Sequence, residues 1–196
     1  MTYLTEAVKI LKQGGIVIYP TDTAFGIGCR IDNKKSIQKL FRLRKRPQSR
    51  ATPVLVDSIR MAEKYFISPL PDNVRHIMRD YWPGALTVVY RSKQDLIPPL
   101  VRGGGDTIGL RIPNHDIPMA LINAVGVPIL GPSANFHGQN TPYKFSQLDS
   151  QLVELADYVI DGKCLVGNVS TVIDCVSNPF KILRLGGLKV DDKYLK

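Results

Sequence analysis

The sequence lacks the long apolar run that a membrane-spanning segment needs. No stretch of about 18 consecutive apolar residues occurs in the 196 residues. The first residues, MTYLTEAVKILKQ, carry a Glu and two Lys where a signal peptide needs an apolar core. These absences predict a cytoplasmic protein with no membrane partner.

Cysteine and histidine are scarce and widely spaced. The three cysteines, Cys29, Cys164 and Cys175, contain no C-x-x-C pair, and an odd number cannot complete a set of disulfides. The three histidines are scattered at spacings that no metal motif uses. The sequence therefore predicts reduced, structural cysteines and no metal site built from protein side chains.

Acidic residues are missing from one part of the chain, which we call the basic segment. Between Lys34 and Arg50 there are eight Lys or Arg and no Asp or Glu, whereas the rest of the chain holds 18 basic and 17 acidic residues. Nearly all of the net charge of +9 therefore comes from the basic segment. Such concentrated charge is typical of proteins that bind an anionic partner.

The common motifs of nucleotide-binding and hydrolytic enzymes are also absent. GGGD at 103–106 lacks the Lys-Ser/Thr of a P-loop, and FGIGC at 25–29 lacks the third glycine of a dinucleotide fingerprint. Ser133 stands in no G-x-S-x-G elbow, which argues against a hydrolase triad. Any phosphate is instead expected to be held by turns, hydroxyls and arginines.

Apolar periodicity predicts helices that alternate with short strands. A first helix over 5–11 ends at Gly14-Gly15, before the β-rich run IVIYP. Asn33 is expected to cap a second helix, KKSIQKLFRLRKR, which stops before Pro47. Further helices are predicted at 58–65, 72–81, 116–125 and 145–156, and strands at 53–57, 85–90, 107–112, 127–131, 157–160, 170–175 and 180–185.

This alternation predicts an α/β, or mixed α+β, fold in which a single sheet is covered by helices. No repeat, low-complexity tract or linker divides the chain, so residues 1–196 are expected to form one domain. The end of the chain is polar, and we expect residues 188–196 to be a loose tail.

Arg44 is predicted to point into the protein. The second helix carries an apolar stripe made by Ile37, Leu40 and Phe41. The same helical spacing reaches Arg44, and an inward guanidinium is costly unless an anion or a polar cavity meets it. Because Pro47 turns the chain, Arg46 and Arg50 can converge with Arg44 around a polyphosphate. A nucleic-acid patch along the outer face of the basic segment is the alternative.

Two loops that follow predicted strands are rich in hydroxyl and amide groups. The first loop is PTDTAFGIG at 20–28, and the second loop is GPSANFHGQNTP at 131–142. Ligands of open α/β sheets bind at strand ends, which favours a binding role over simple turns. Asp22, in the first loop, is a candidate general base, although a structural role in the turn fits equally well.

Arg111 is the second inward charge that the sequence predicts. In TIGLRIP, at 107–113, the three isoleucine and leucine residues alternate onto one face, and Arg111 falls on the other. If helices or loops cover both faces, this guanidinium needs a partner such as a carboxylate.

Taken together, these motifs resemble those of the YrdC-like L-threonylcarbamoyladenylate synthase family. The match runs nearly end to end, through YPTDTAFGIG, RKRP, YWPGALT, TIGLRIP, GPSANFHG, VSTVID and ILRLGG. The resemblance implies a twisted, open mixed sheet flanked by helices, with a positively charged concave cavity. It also implies a nucleotidyltransferase that condenses L-threonine, bicarbonate and ATP into threonylcarbamoyl-AMP and pyrophosphate, in the short form without an extra C-terminal domain.

The same resemblance assigns the site residues. The family signature K-x-R and S-x-N implies as catalytic residues Arg44, Arg46, Ser133 and Asn135. The residues implied to contact ATP are Arg46, Arg50, Thr107, Ser133, Thr141 and Arg184. Those implied to contact L-threonine are Thr23, Leu55 through its backbone, Arg111, Gly131 and Ser170. Mg²⁺ is expected to arrive with ATP, since no acidic cluster marks a site for it.

Three positions depart from the family pattern. Arg44 stands in place of Lys, Ala51 in place of Pro, and Val169 in place of Glu or Pro. A guanidinium keeps the charge of an ammonium but changes the geometry of its phosphate contacts.

The resemblance also implies macromolecular partners. These are tRNA or double-stranded RNA, which some members bind directly, and downstream tRNA threonylcarbamoyl-transferase proteins. The alternative function is an RNA-binding module without catalysis that uses the basic segment. A carbamoyl-transferring domain of hydrogenase maturation factors is disfavoured, because the zinc-finger and acylphosphatase modules of those proteins are not in the sequence.

Overall fold

The computed structural model describes residues 2–196 as two mixed sheets with helices around them. The helices are α1 (Thr2–Lys12), α2 (Lys34–Leu43), α3 (Ile59–Tyr65), α4 (Asp72–Tyr81), α5 (Pro99–Arg102), α6 (Asp116–Val125) and α7 (Ser150–Leu155). The strands are β1 (Val17–Tyr19), β2 (Gly26–Gly28), β3 (Val54–Leu55), β4 (Leu86–Arg91), β5 (Thr107–Arg111), β6 (Ile129–Leu130), β7 (Tyr158–Val159), β8 (Thr171–Asp174) and β9 (Lys181–Arg184). Within the described residues, no helix has the length and apolar character to cross a membrane.

Three strands form a small sheet in the order β2-β1-β7, and six form a larger sheet in the order β6-β3-β5-β4-β8-β9. Both sheets are mixed: β1 pairs antiparallel with β2 and parallel with β7, and β4 pairs antiparallel with β5 and parallel with β8. The predicted mixed α/β fold is therefore confirmed, but the expectation of a single sheet is wrong. Periodicity identifies a strand without showing which other strand it pairs with.

The two sheets meet where β2 passes the end of β6. The Tyr19 hydroxyl donates to the Leu130 carbonyl at 2.7 Å, and the Ile27 amide donates to the Pro132 carbonyl at 2.9 Å. Gly28 permits this approach, because a Cβ at that position would lie 1.9 Å from the Leu130 oxygen.

We expect Gly28→Ala to lower the free energy of unfolding by about 3 kcal/mol or more, because the backbone carbonyl that blocks the new methyl belongs to the sheet junction. Gly105→Ala is the matched control, since a Cβ there would meet only the Arg102 carbonyl, at 3.5 Å. Urea unfolding followed by circular dichroism measures both variants. Equal stability of the two would contradict the close approach.

The α2 helix ends earlier than predicted. Asn33 caps its first turn as expected, but the helix stops at Leu43 and does not reach Arg46. Lys45 adopts a left-handed φ of 51°, and the Arg46 amide bonds back to the Phe41 carbonyl at 2.9 Å. This is a Schellman motif, which usually has glycine at the left-handed position. This motif could not be predicted from the sequence, because its left-handed position is occupied by Lys45.

Three further elements differ from the predictions. The helix expected over 145–156 is divided into a 3-10 turn, Phe145–Gln147, and α7, because the Asp149 side chain caps a new helix. Two short elements, β2 and α5, were not predicted. A three-residue strand with two glycines and a four-residue helix are both too short to show a period.

The chain end from 188 to 196 is packed against the protein, so the expectation of a loose tail is wrong. Val190 is buried, and Tyr194 stacks on Phe180 with ring centroids 6.2 Å apart. The Tyr194 hydroxyl also donates to an Asp80 carboxylate oxygen at 2.6 Å. Two apolar anchors are enough to hold a segment whose average composition is polar.

Candidate active site

A cleft of about 130 Å³ lies where the first and second loops face the larger sheet. Hydroxyl groups come from both loops, from Thr87 in β4 and from Ser170, which immediately precedes β8. No Asp or Glu occurs among the described residues that line the cleft, whereas its lining includes four arginines: Arg44, Arg46, Arg111 and Arg184. A cleft with this lining suits a ligand that carries several negative charges.

The two loops are held together by backbone hydrogen bonds. The Ala134 amide donates to the Phe25 carbonyl at 2.8 Å, and Gly26 forms an antiparallel bridge with Ser133. The Phe25 amide donates to the Pro142 carbonyl at 3.0 Å, at the far end of the second loop. The predicted binding loops therefore form one wall of the cleft, with Ser133 in that wall.

Arg44 points inward as predicted and is only 3% exposed. Its Nε donates to the Asn135 carbonyl at 3.0 Å, and its Nη2 donates to Asn135 Oδ1 at 3.2 Å. The third nitrogen, Nη1, is buried and has no partner among the described residues. Burial, aided by the charge of Arg46, lowers the pKa of Arg44 to about 10. A lysine ammonium lacks this planar fork and could not make the same pair of contacts to Asn135 in the second loop.

Asn135 lies behind Arg44 and does not line the cleft. The Ser133 hydroxyl donates to Asn135 Oδ1 at 2.6 Å, and Asn135 Nδ2 donates to the Gln139 carbonyl at 2.6 Å. The S-x-N part of the family signature thus forms a buried network with Arg44, in which Ser133 faces the cleft and Asn135 positions its neighbours.

Arg111 forms a buried ion pair with Asp22. Arg111 Nη1 lies 2.7 Å from Asp22 Oδ1, and the two side chains are 5% and 3% exposed. The carboxylate partner that the sequence predicted for Arg111 is therefore a side chain of the protein itself. Neutralisation of the Arg111 charge does not depend on threonine alone. Asp22 Oδ2 is buried without a partner and does not reach the cleft lining, which argues against the general-base role considered for Asp22.

We expect Asp22→Ala to lower the free energy of unfolding by about 3–5 kcal/mol, because it leaves the Arg111 charge buried and unpaired. Asp32→Ala is the matched control: its pair with Arg30 has the same 2.7 Å separation but is much more exposed. That change should cost at most about 1 kcal/mol. Chemical unfolding of both variants tests the contrast, and similar losses would show that the burial of the Asp22 pair is unimportant.

The cleft brings together most of the residues that the resemblance assigned. Arg184 donates to the Ser170 carbonyl at 2.8 Å, and the Ser170 hydroxyl lies 2.9 Å from the Thr87 hydroxyl. The Arg46 guanidinium donates to the carbonyls of Arg50 and Ala51. The assigned residues that line the cleft are Thr23, Arg44, Arg46, Arg111, Gly131, Ser133, Ser170 and Arg184.

Other assigned residues lie outside the cleft lining. Arg50 is exposed on the turn after α2, and its side chain lies outside the cleft lining. Leu55 is fully buried beneath Gly131, where a Cβ would lie 2.5 Å from Leu55 Cγ. Thr141 is half-buried at the end of the second loop.

Thr107 lies at the end of β5 opposite Arg111, but alternation puts both side chains on the same face of the strand. This face is half-open at Val89, Thr107, Gly109 and Val172. The other face is fully covered at Val88, Ile108, Leu110 and Ile173. The face of β5 that carries Arg111 and Thr107 is therefore the more accessible one, although Thr107 and Gly109 lie outside the cleft lining.

Thr21, in the predicted first loop, also lines the cleft, whereas Thr87 was not predicted as a lining residue. Thr87 alternates with the buried Leu86 and Val88 in YWPGALTVV, which places a hydroxyl on the face opposite the core. That signal was available, because a polar residue inside an apolar strand marks a ligand-facing side.

Burial and the positive charge of neighbouring arginines destabilise the charged form of the arginines in the cleft. Burial lowers the pKa of Arg46, with a further contribution from the charge of Arg50. Burial also lowers the pKa of Arg184, with a contribution from Arg111. An anionic ligand would relieve both effects, because it restores a polar environment and compensates the repulsion.

The comparisons with known proteins agree with this geometry. The Sua5/YciO/YrdC family model, described as "Telomere recombination", matches residues 9–186. A protein named threonylcarbamoyl-AMP synthase from Bacillus subtilis is 32% identical over 94% of this chain, and one from Pseudoalteromonas translucida is 30% identical over 92%. The structure of P. abyssi Sua5 complexed with L-threonine superposes with a TM-score of 0.89 at 28% identity over 98% of this chain.

The lengths of these relatives differ. The chain spans 54% of the B. subtilis protein and 57% of the P. abyssi structure, about half of each, but 96% of the P. translucida protein. The residues matched by the family model, 9–186, include both loops, β5 and the four arginines of the cleft. The chain belongs to the Sua5/YciO/YrdC family.

Proposed function

We propose that this protein is a threonylcarbamoyl-AMP synthase, which condenses L-threonine, bicarbonate and ATP into threonylcarbamoyl-AMP and pyrophosphate. The observation that carries the proposal is the cleft, in which four arginines and several hydroxyls converge with no acidic side chain in the lining. The names of the relatives support the reaction, and the threonine complex of P. abyssi Sua5 supports the amino-acid substrate.

The reaction brings two anions together. The threonine amine and bicarbonate form a carbamate with loss of water, and a carbamate oxygen then attacks the α-phosphorus of ATP. The new P–O bond replaces the bond to the bridging oxygen, and pyrophosphate leaves with that oxygen. Arginines held in place before the substrates arrive lower the repulsion and stabilise the charge on the transferring phosphate.

The arrangement of the cleft suggests where each substrate lies. Arg111, fixed by Asp22, is placed to meet the threonine carboxylate next to Thr23 and Ser170. Arg44 and Arg46 also line the cleft, and their charges are proposed to stabilise the phosphates of ATP. The nucleoside is proposed to lie along the half-buried face of β5, toward Thr107, which shares that face with Arg111.

Magnesium is proposed to enter as the complex with ATP. Within residues 2–196, no group of three or more His, Cys, Asp or Glu could hold a metal ion. The nearest carboxylate to the cleft, Asp22, is already engaged by Arg111. The protein side chains therefore do not fit a dedicated magnesium cage, and the phosphates themselves supply the oxygen ligands that the ion prefers.

The product is a mixed anhydride, so it must be consumed by an acyl transfer to a nucleophile. We propose that downstream transferase proteins pass the threonylcarbamoyl group to an adenosine of tRNA, which places the enzyme in the cytoplasm. Direct binding of tRNA or double-stranded RNA by the basic segment, with or without catalysis, is the rival function. The exposed, unpaired cations of that segment favour it enough to warrant a test.

The deciding experiment measures pyrophosphate release from ATP by the purified protein while threonine, bicarbonate and magnesium are omitted in turn. We expect release to need all three, with threonylcarbamoyl-AMP identified by mass spectrometry. Absence of turnover, together with tight RNA binding that weakens steeply with salt, would instead support the RNA-binding module.

A further inference from the structure

A second and larger cavity, of about 920 Å³, lies between α2, the turn that follows it and α5. We call it the α2–α5 groove. Its accessible apolar floor is made by Pro98, Pro99 and Leu100, and its basic rim includes Lys34, Arg42 and Lys45. Apart from Arg46, it shares no lining residue with the cleft.

The rim charges have no acidic partner. Within residues 2–196, neither Lys34 nor Arg42 forms an ion pair, and Lys45 contacts only the Phe136 ring, 5.1 Å from its centroid. Lys39, on another side of the same helix, is paired with Asp157 at 2.7 Å. Free positive charge on α2 is therefore concentrated beside an apolar floor.

Close backbone contacts hold the two walls of the groove, α5 and the turn after α2, against each other. Gly103, which ends α5 with a φ of 62°, packs so closely on the turn after α2 that a Cβ there would lie 2.6 Å from the Ala51 nitrogen. The Thr52 amide donates to the Val101 carbonyl at 2.9 Å. The glycine cluster that resembled a phosphate loop thus fixes the two walls of the groove against each other.

We propose that the α2–α5 groove binds an acidic segment of a partner protein that also carries apolar side chains. The carboxylates would meet the basic rim, and the apolar side chains would rest on Pro98, Pro99 and Leu100. The ten residues of α2 span about 15 Å, which matches a helical segment of similar length.

Single-stranded nucleic acid fits the groove less well than such a segment. Bases bound without pairing need exposed aromatic faces on which to stack. Phe41 supplies the one aromatic ring among the described lining residues, and it is only 4% exposed. Aliphatic side chains and two prolines make up the rest of the apolar lining.

The groove and the cleft share Arg46 as a wall. A bound segment would therefore lie next to the phosphate side of the cleft, and this position rests on the proposed function. Binding of the segment to the groove does not depend on the proposed function, because it can be measured without turnover.

The test uses fluorescence anisotropy with a labelled peptide of about 12 residues, mostly Glu, with Leu at helical spacing on one face. We expect micromolar binding that Lys34→Glu with Arg42→Glu, and separately Leu100→Ser, weakens at least about tenfold. Lys35→Glu is the matched control, because Lys35 is exposed on the same helix but outside the groove lining, and it should change the affinity little.

Three outcomes would overturn the proposal. A peptide with Ser in place of Leu could bind equally well, which would show that the apolar floor is not used. Single-stranded or duplex RNA could bind more tightly and lose affinity in the same variants, which would make the groove a nucleic-acid site. The peptide could also fail to bind at about 1 mM. Circular dichroism confirms that each variant is folded. Pyrophosphate release by the same variants without peptide separates a failure of peptide binding from a failure of the proposed function.

Discussion

Arg111→Ala is expected to raise the KM for L-threonine by about a hundredfold while changing the KM for ATP much less. The guanidinium lies in the cleft and is oriented by Asp22 at 2.7 Å, so it can meet a carboxylate without reorganisation. Two charge-assisted hydrogen bonds, each worth about 1.5–3 kcal/mol, are enough for a loss of this size. Steady-state kinetics with each substrate varied in turn, and calorimetric titration with threonine, measure it.

This variant has a structural side effect that needs its own control. Removing Arg111 leaves Asp22 buried without a partner, which is expected to lower stability as well as affinity. Asp22→Asn combined with Arg111→Met removes both charges at similar volume, so stability should largely recover while the threonine defect persists. An unchanged KM for threonine together with a raised KM for ATP would show that the two substrate positions are reversed.

Arg46→Ala is expected to reduce kcat/KM for ATP by about a thousandfold, a loss of roughly 4 kcal/mol in transition-state stabilisation. Arg46 lines the cleft, and its guanidinium is tethered by the carbonyls of Arg50 and Ala51. A donor fixed in this way is in position before the phosphate becomes more negative, which is the condition for strong electrostatic catalysis. Single-turnover formation of the adenylate is the direct measurement.

Two comparison variants separate position from charge. Arg79→Ala removes an exposed arginine on α4, outside the cleft lining, and should leave turnover unchanged. Arg46→Lys keeps the charge but loses the fork that bonds the two carbonyls, so an intermediate defect is expected. Near-normal turnover of Arg46→Ala would place the phosphates elsewhere on the protein.

Much of the secondary structure could be predicted from local pattern. The helices at 72–81 and 116–125 match α4 and α6, because their apolar residues repeat over nearly three turns between clear boundaries. The errors fall where one side chain changes the outcome. Lys45 in a left-handed conformation ends α2 early, and Asp149 divides the helix predicted over 145–156.

The candidate site was predictable to a similar degree. Inward placement of Arg44 followed from helical spacing, and it is confirmed by its burial. Strand alternation predicted that Arg111 needs a carboxylate partner. It could not identify that partner as Asp22, which lies 89 residues away in sequence. Spacing shows that a charge faces inward, whereas only the assembled fold shows what it meets.

The sequence by itself determined where charge is concentrated, which loops follow buried strands and which arginines face the interior. These properties depend on composition and on periods of two and 3.6 residues, which act over short distances along the chain. Tertiary structure decided that the strands divide into two sheets, that the first and second loops form one wall, and that Asp22 compensates Arg111. It also decided that Arg46 separates a polar cleft from an amphipathic groove. These features depend on contacts between residues far apart in sequence, which no local period encodes.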